Sequence, residues 1–210
     1  MNSLNCLESD LRRAVFSLRF LAAAALQLAV LCSQGFGSTL YKMSVPLACA
    51  LPYACGWLNE YQSGFVRLAL PRSTLRGYVL GKLLASVLSG GGVEALAAWL
   101  FTLVKQQEPA WDYALIFLCG ALWAAVAALL AAVSNSRYLA YGGAFVVFYF
   151  LVILSQRYWK SLYCLDPCEW LAPQHAWPFG NTGVMLLLLG LLAVLGLWYC
   201  DILYGRVENG

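Results

Sequence analysis

Long apolar blocks separated by short polar stretches make up most of this chain of 210 residues. A bilayer core is crossed by about 20 apolar residues in helical conformation, and the blocks have that length. We expect six spans, at residues 15–34, 40–57, 79–104, 113–133, 138–155 and 184–203. No segment outside them is long enough for a soluble domain. The pattern therefore predicts an all-α integral membrane protein in which residues 1–210 form a single transmembrane domain.

The composition supports the same class. Hydrophobic residues make up 62% of the chain and charged residues 11%, with a mean hydropathy of +0.71. A water-soluble globule of this size needs more polar surface than that. The first block is also about twice as long as the apolar core of a signal peptide, so we interpret it as a true span.

An amphipathic helix is predicted just before the first span. Within residues 7–20 the apolar side chains of Leu7, Leu11, Val15 and Leu18 recur at helical spacing, with acids and arginines on the other face. Such a helix is expected to lie on the cytoplasmic surface of the membrane.

The basic residues divide unevenly between the two ends of the predicted spans. With a cytoplasmic N-terminus, nine of the thirteen fall on the cytoplasmic side: Arg12, Arg13, Arg19, Arg67, Arg72, Arg76, Lys82, Arg137 and Arg206. The outer side receives Lys42, Lys105, Arg157 and Lys160. Because cytoplasmic loops carry the excess of basic residues, we expect a multi-pass protein of the cell membrane with both termini cytoplasmic. The basic residues then serve as topology anchors and do not form a stripe for nucleic acid.

Residues 59–82, NEYQSGFVRLALPRSTLRGYVLGK, gather four basic residues, one acid and three glycines between two apolar blocks. One interpretation is an ordinary solvated loop whose arginines follow the distribution of charge just described. The apolar side chains at 65, 66, 68 and 70 favour another, because a solvated loop does not need them. In that interpretation residues 60–70 form a surface helix that packs on the bilayer or in a groove of a partner. Thr74 or Ser73 would then cap a helix beginning near Leu75.

The same stretch resembles the cytoplasmic loop of type-2 ABC transporter permeases. The matching residues are Glu60-x-x-x-Gly64, then Arg67, Pro71 and Arg72, the LRGY at 75–78, and Lys82 at the start of a span. In that family a Glu-x-x-x-Gly element after the second span begins the coupling helix, and a lysine commonly begins the third span. The motif covers residues 53–86. The surface helix, six spans and a re-entrant outer segment before the last span are similar to the family over the whole chain.

The resemblance implies a permease subunit that is not itself an enzyme. It would work with a separate ABC ATPase dimer and with a second permease copy or a paralogue, in contact with membrane lipids. ATP and magnesium would bind in the ATPase, and this chain would carry no cofactor. Because the family mostly exports, a peptide, a lipid or a drug-like solute is the expected cargo. The implied ATPase-coupling residues are Glu60, Gly64, Phe65, Arg67, Pro71, Arg72, Arg76 and Lys82.

A glutamate lies near the middle of the third predicted span, close to three consecutive glycines. A charge at the bilayer centre costs about 2.5 to 3.5 kcal/mol or more, so Glu94 must face protein or water, or be protonated. One interpretation places Gly90, Gly91, Gly92 and Glu94 on the translocation path. The other is a helix-packing patch, because glycines allow helices to approach closely.

The outer segment 156–183 is rich in Trp, Tyr and Pro, and we expect short helices or re-entrant pieces there. It contains Cys164 and Cys168, which form either a disulfide or two free thiols. The other cysteines lie in or near the spans, apart from Cys6 on the cytoplasmic side. A thiol within a span behaves as a small apolar group.

Other chemistry finds little support. Residues 77–83, GYVLGKL, miss the P-loop pattern, because three residues separate the glycines and Leu83 follows the lysine. His175 is the only histidine, so no metal site built on histidines can be assembled. Two alternatives to transport stay open: a membrane scaffold or sensor that binds a cytoplasmic partner through residues 59–82, and a membrane enzyme of unrecognised type.

Overall fold

The computed structural model of the chain describes residues 3–66, 74–106, 112–159 and 162–208. Within these ranges the chain is helical and contains no strand, which confirms the predicted all-α class. The α-helices are α1 (Ser3–Val15), α2 (Leu18–Gln34), α3 (Thr39–Ala50), α4 (Gly56–Gln62), α5 (Leu75–Lys105), α6 (Tyr113–Ser134), α7 (Arg137–Ile153), α8 (Pro167–Leu171) and α9 (Asn181–Glu208). A π-helix, Leu154–Tyr158, continues α7, and a 3-10 helix occupies Tyr163–Leu165.

Four helices are long and apolar enough to cross a membrane: α5, α6, α7 with its π-helical continuation, and α9. α1 and α2 meet at 49° and pass the same test only as one bent pair. Large apolar side chains are exposed along α7 and α9, among them Val146, Phe150, Leu186 and Leu197. Lipid is the solvent that suits such a surface. These helices indicate a membrane protein.

The first predicted span begins later than expected. Val15 ends α1, and α2 starts only at Leu18. Ser17 separates the two helices, and its Oγ accepts a hydrogen bond from the backbone N–H of Phe20 at 3.1 Å. A serine that caps a helix in this way marks a new helix start, so residue 15 belongs to α1 and not to α2.

The second predicted span, 40–57, is interrupted. α3 ends at Ala50, residues 51–55 form turns, and α4 begins at Gly56. The 12 residues of α3 reach about 18 Å at 1.5 Å per residue, well short of a bilayer core of about 30 Å. Pro52 supplies the physical reason, because proline has no backbone N–H to donate to the carbonyl four residues before it.

One local prediction at a helix end is confirmed. Thr74 caps α5, since its Oγ1 accepts from the N–H of Gly77 at 3.3 Å. The turn between α6 and α7 is tight, and Asn135 adopts the left-handed conformation there with φ of +53°.

α6 lies at the centre of the bundle, and much of its surface is buried. Trp123 in its middle is 1% exposed. Its ring packs edge to face on Phe148 of α7 at 5.4 Å and stacks on Trp170 of α8 at 6.0 Å. The short helices expected within residues 156–183 therefore exist, and α8 closes one end of the core.

The opposite end of the bundle brings together α1, α4, the start of α5, the α6–α7 turn and the end of α9. Gln62 Nε2 donates to the carbonyl of Asn135 at 3.4 Å, and Arg137 donates to Gln62 Oε1 at 3.2 Å. Arg206, near the end of α9, donates to the carbonyl of Val133 at 2.8 Å and to Asn135 Oδ1. These contacts hold α4 and the end of α9 against the turn between α6 and α7.

Candidate functional site

Lys82 is the centre of a buried polar cluster made of Asp10, Tyr53, Glu60, Tyr78 and Lys82, which we call the Lys82 network. Its Nζ lies 2.6 Å from Glu60 Oε1, 2.7 Å from Asp10 Oδ1 and 3.0 Å from Tyr53 Oη. An ammonium group has three donors, and these contacts use all of them. Tyr53 Oη donates to Asp10 Oδ1 at 2.8 Å, and Tyr78 Oη donates to Glu60 Oε2 at 2.7 Å.

Four separate parts of the chain supply the network. α1 contributes Asp10, the turns before α4 contribute Tyr53, α4 contributes Glu60, and α5 contributes Tyr78 and Lys82. The last two are four residues apart, so they share one face of α5. The Lys82 ammonium also lies 5.2 Å from the ring centre of Tyr78 and 5.6 Å from that of Tyr53, within the range of cation–π attraction.

Two carboxylates face one ammonium group in a place with little access to water. Lys82 is only 2% exposed, so its charge depends on these partners for solvation. Arg13 comes within 3.5 Å of Glu60 Oε1, but its side chain is 61% exposed and adds little. Among the described residues, Asp10 Oδ2 has no hydrogen-bond partner. The network therefore fixes the relative positions of α1, α4 and α5 at a substantial desolvation cost.

A break in the helix separates Glu60 from Phe65. α4 ends at Gln62, and Gly64 has φ of +72°, a conformation that glycine adopts at no steric cost. A new helical turn begins at Phe65, whose side chain is 43% exposed. The predicted single helix over residues 60–70 is therefore wrong at the glycine, because the left-handed residue ends α4 and redirects the chain.

Of the other predicted coupling residues, the structure describes one and leaves three undescribed. Arg76 is exposed in the first turn of α5. Arg67, Pro71 and Arg72 lie outside the described residues. Of the eight residues, the structure places Glu60 and Lys82 in direct contact, with Gly64 and Phe65 immediately after Glu60.

A second polar cluster surrounds Glu94, further along α5. Glu94 is completely buried. Its Oε2 accepts from Gln27 Nε2 of α2 at 3.2 Å and from Tyr41 Oη of α3 at 3.1 Å, and its Oε1 accepts from Cys49 Sγ at 3.6 Å. Ser44 Oγ in turn donates to Gln27 Oε1 at 2.9 Å. The requirement that Glu94 face protein or water is met by these side chains.

The glycines beside Glu94 lie at close helix contacts. A Cβ on Gly90 would come within 2.3 Å of Ala124 Cβ, and one on Gly91 within 2.7 Å of the Phe117 carbonyl oxygen, both on α6. A Cβ on Gly92 would lie 3.6 Å from the Phe20 ring, an ordinary contact distance. In this conformation the first two glycines serve the packing of α5 on α6.

The outer segment holds two further groups singled out in the sequence. Cys164 and Cys168 are both free thiols in this structure, the second of the two alternatives that the sequence left open. Burial and the neighbouring Asp166 raise the pKa of Cys168 to about 11. His175 Nδ1 lies 3.2 Å from Glu169 Oε1. Over the ranges that the structure describes, no group of three His, Cys, Asp or Glu residues could hold a metal ion.

Sequence reasoning missed Asp10 and Tyr53 in the Lys82 network, and it included Tyr78 only as part of the LRGY motif. Asp10 was assigned to a polar, solvated face, yet it is buried. The spacing of the sequence did indicate this burial. Asp10 lies three residues after Leu7 and four residues before Ala14, so Asp10 shares the apolar face of α1, and Ala14 is 0% exposed. The tyrosines carry no such signal, because aromatic residues are common at membrane interfaces without any polar partner.

Comparison with known proteins gives no match: no protein-family model, no curated protein and no solved structure matches the chain. The resemblance to type-2 permeases therefore depends on residues 60–82 and on the helical architecture. Function has to be inferred from the geometry of the Lys82 network.

Proposed function

We propose that this chain is the membrane-spanning permease subunit of an ATP-driven ABC transporter. The observation that supports this best is the ion pair between Glu60 and Lys82, at 2.6 Å. These are the first and last residues of the motif shared with type-2 permeases, and 22 positions separate them. Gly64 redirects the chain four residues after Glu60, which suits a docking element that turns away from the bundle.

The network would couple the docking element to the transmembrane helices. ATP can drive transport only if its binding stabilises one conformation of the membrane part over another. A partner bound at Phe65 would act on Glu60, which is bonded to both Tyr78 and Lys82 of α5. Lys82 and Glu94 are 12 residues apart on that helix, or about 18 Å. A displacement of the loop would thus reach the Glu94 cluster through one continuous helix.

Six spans and a cytoplasmic location of both termini are part of the proposal. α2 would be the fifth span, and α3 together with the turns and α4 that follow it would be the sixth, as a broken segment. The end of the bundle that holds the Lys82 network would lie on the cytoplasmic side of the cell membrane, because it carries most of the basic residues. Arg13, Arg137 and Arg206 all lie there.

The partners follow from this assignment. An ABC ATPase dimer would bind the loop between Glu60 and Lys82 and would supply ATP and magnesium. A second permease copy or a paralogue would complete the pore. Export of a peptide, a lipid or a drug-like solute is the proposed activity, with Gly90, Gly91, Gly92 and Glu94 near the path when the contact between α5 and α6 opens.

Subunit composition tests the proposal. The full chain carrying an affinity tag is purified from its native membrane in a mild detergent, and its partners are identified and counted by mass spectrometry. We expect two ATP-binding-cassette subunits with two permease chains, and ATP hydrolysis by the complex. A chain that purifies without any ATP-binding protein, from membranes that contain it in folded form, would contradict the proposal.

A further inference from the structure

A cavity of about 710 Å³ lies at the end of the bundle opposite the Lys82 network. The start of α3, the end of α7 with its π-helix, and the region around α8 form its walls. Its lining combines apolar side chains such as Val152 and Ile153 with four charged ones: Lys42, Arg157, Asp166 and Glu169. The cavity shares no residue with either polar cluster described above, and neither the family motif nor the proposed coupling uses it.

The two acids of the cavity are engaged by their own segment. Asp166 caps α8, since Oδ1 accepts from the N–H of Cys168 at 2.9 Å, and Oδ2 accepts from Gln156 Nε2 at 3.4 Å. Glu169 Oε2 accepts from the N–H groups of Gln174 and His175 at 2.9 and 3.2 Å. These carboxylates hold the fold of the outer segment, and their acceptor positions are largely used.

The two cations are not engaged. The charged side-chain groups of Lys42 and Arg157 form no ion pair and no hydrogen bond with any residue in the part of the chain that the structure describes. Lys42 is half-buried and Arg157 is exposed at the rim. An ammonium group and a guanidinium group with unused donors, facing one cavity, can bind the oxygens of a carboxylate or a phosphate.

An apolar surface continues from the cavity along α7. Val146, Tyr149, Phe150 and Ile153 recur at spacings of three and four residues, so they share one face of the helix. All four are exposed large apolar residues. An alkyl chain whose charged group lies between the two cations can extend along this face at the depth of the bilayer.

We propose that this cavity binds an amphipathic anion, with a carboxylate or phosphate group between Lys42 and Arg157 and an apolar chain along α7. The site would be accessible from the membrane rather than from the cytoplasmic end. This inference does not depend on the proposed transport activity, because it uses only the cavity, the two cations and the exposed face of α7.

Photolabelling of the purified full chain in phosphatidylcholine nanodiscs tests the site. The probe is a dodecyl phosphate with a diazirine in its chain, titrated to give a Kd and mapped by mass spectrometry. We expect labels within residues 146–153. A hydrogen bond to a charged group contributes about 1.5–3 kcal/mol, so Lys42→Gln and Arg157→Gln should each weaken binding about tenfold or more.

Lys105→Gln is the matched control. Lys105 is an exposed lysine at the same end of the bundle and does not line the cavity, so its replacement should leave the Kd unchanged. Unfolding temperatures equal to the parent's show that the variants are folded. Unchanged binding by both folded cavity variants overturns the proposal. Labels confined to other helices overturn it as well.

Competitors define the chemical class. If dodecanol or dodecyltrimethylammonium competes as well as unlabelled dodecyl phosphate, the site does not require an anion and the proposal is wrong. If inorganic phosphate competes equally well, the site does not require an apolar chain and the proposal is also wrong. Nanodiscs containing phosphatidylglycerol then distinguish two sources of the same chemistry. Loss of labelling in them assigns the site to an anionic bilayer lipid, and retained labelling assigns it to a soluble amphiphile. Both results support the proposal.

Discussion

The ammonium group of Lys82 on α5 lies 2.6 Å from the carboxylate of Glu60 on α4. The same ammonium group is bonded to Asp10 of α1 at 2.7 Å. One buried cation therefore joins three helices at the end of the bundle where α4 ends and α5 begins. Glu60 cannot move independently of α5 unless its bond to Lys82 breaks.

Replacing Lys82 by alanine should destabilise the protein strongly. The change leaves the buried carboxylate of Asp10 and the partly buried one of Glu60 without their cation. Loss of one partner from a buried ion pair costs about 3–5 kcal/mol. The measurement is the free energy of unfolding in detergent micelles by chemical denaturation. Lys105→Ala removes an exposed lysine from the other end of α5 and should change this free energy by less than about 0.5 kcal/mol.

Neutralising the acids together with the lysine should restore much of the loss. In the triple variant Lys82→Met, Asp10→Asn, Glu60→Gln no buried charge remains unpaired, and neutral replacements of buried ion pairs are often tolerated. If Lys82→Ala were as stable as the parent, or the triple variant less stable than Lys82→Ala, the electrostatic description of the network would be wrong.

Gly90→Ala should weaken the contact between α5 and α6. The added Cβ would come within 2.3 Å of Ala124 Cβ, and overpacking of this kind costs about 1–3 kcal/mol. Gly142→Ala on α7 is the control, because a Cβ there meets nothing within 4 Å. It should be neutral or stabilising by up to about 1 kcal/mol through helix propensity. Equal unfolding free energies for the two variants would contradict the packing role.

Glu94→Ala should destabilise more than Glu94→Gln. The alanine leaves the buried donors of Gln27 and Tyr41 without an acceptor, which costs about 1–3 kcal/mol for each. Glutamine keeps a similar size and one acceptor oxygen. Unfolding free energies of the two variants check the order, and the reverse order would contradict the hydrogen bonds assigned to Glu94. Full transport by Glu94→Gln would also remove this glutamate from the proposed path.

Acid should loosen the outer segment through Glu169. Burial raises the pKa of this carboxyl, but the N–H groups of Gln174 and His175 and the His175 ring outweigh burial, so the pKa of Glu169 is lowered overall. A group with a lowered folded pKa stabilises the fold above its unfolded pKa of about 4.3. That contribution is lost as the pH falls through the lowered folded value.

Hydrogen exchange measures this effect at the amides of Gln174 and His175. Their protection factors should be constant near pH 6 and should fall once the pH drops below about 4, the range set by an ordinary glutamate. Glu169→Gln should have lower protection at pH 6 and no further step in acid. The same acid step in that variant would assign the effect to another group.

Long apolar runs made four of the helices predictable to within a few residues. The predicted span 113–133 matches Tyr113–Ser134, because its hydropathy is high throughout and polar residues flank it. A continuous helix over residues 40–57 was wrong, because hydropathy alone does not register the break after Ala50 at Pro52. Composition shows how apolar a segment is. Whether that segment forms a continuous helix also depends on whether each residue has a backbone N–H to donate, which proline lacks.

The candidate site was predictable only in part. Glu60 and Lys82 were singled out by a motif, and the structure joins them. Asp10 was not, because 72 positions separate it from Lys82 and a contact of that range depends on how α1 folds back onto α5. The tight contact at Gly90 likewise depends on its partner helix, which the glycines alone do not specify.

Photocrosslinking from residue 65 tests the central claim, that the loop after Glu60 docks on an ATPase. A photoreactive phenylalanine analogue replaces Phe65 in the full chain in native membranes, and a second variant carries it at Phe179, an equally apolar and strongly exposed position in the outer segment. We expect an adduct with an ATP-binding-cassette protein from residue 65 and none from residue 179. An ATPase adduct from residue 179 alone, or none from residue 65 in a complex that contains the ATPase, would contradict it.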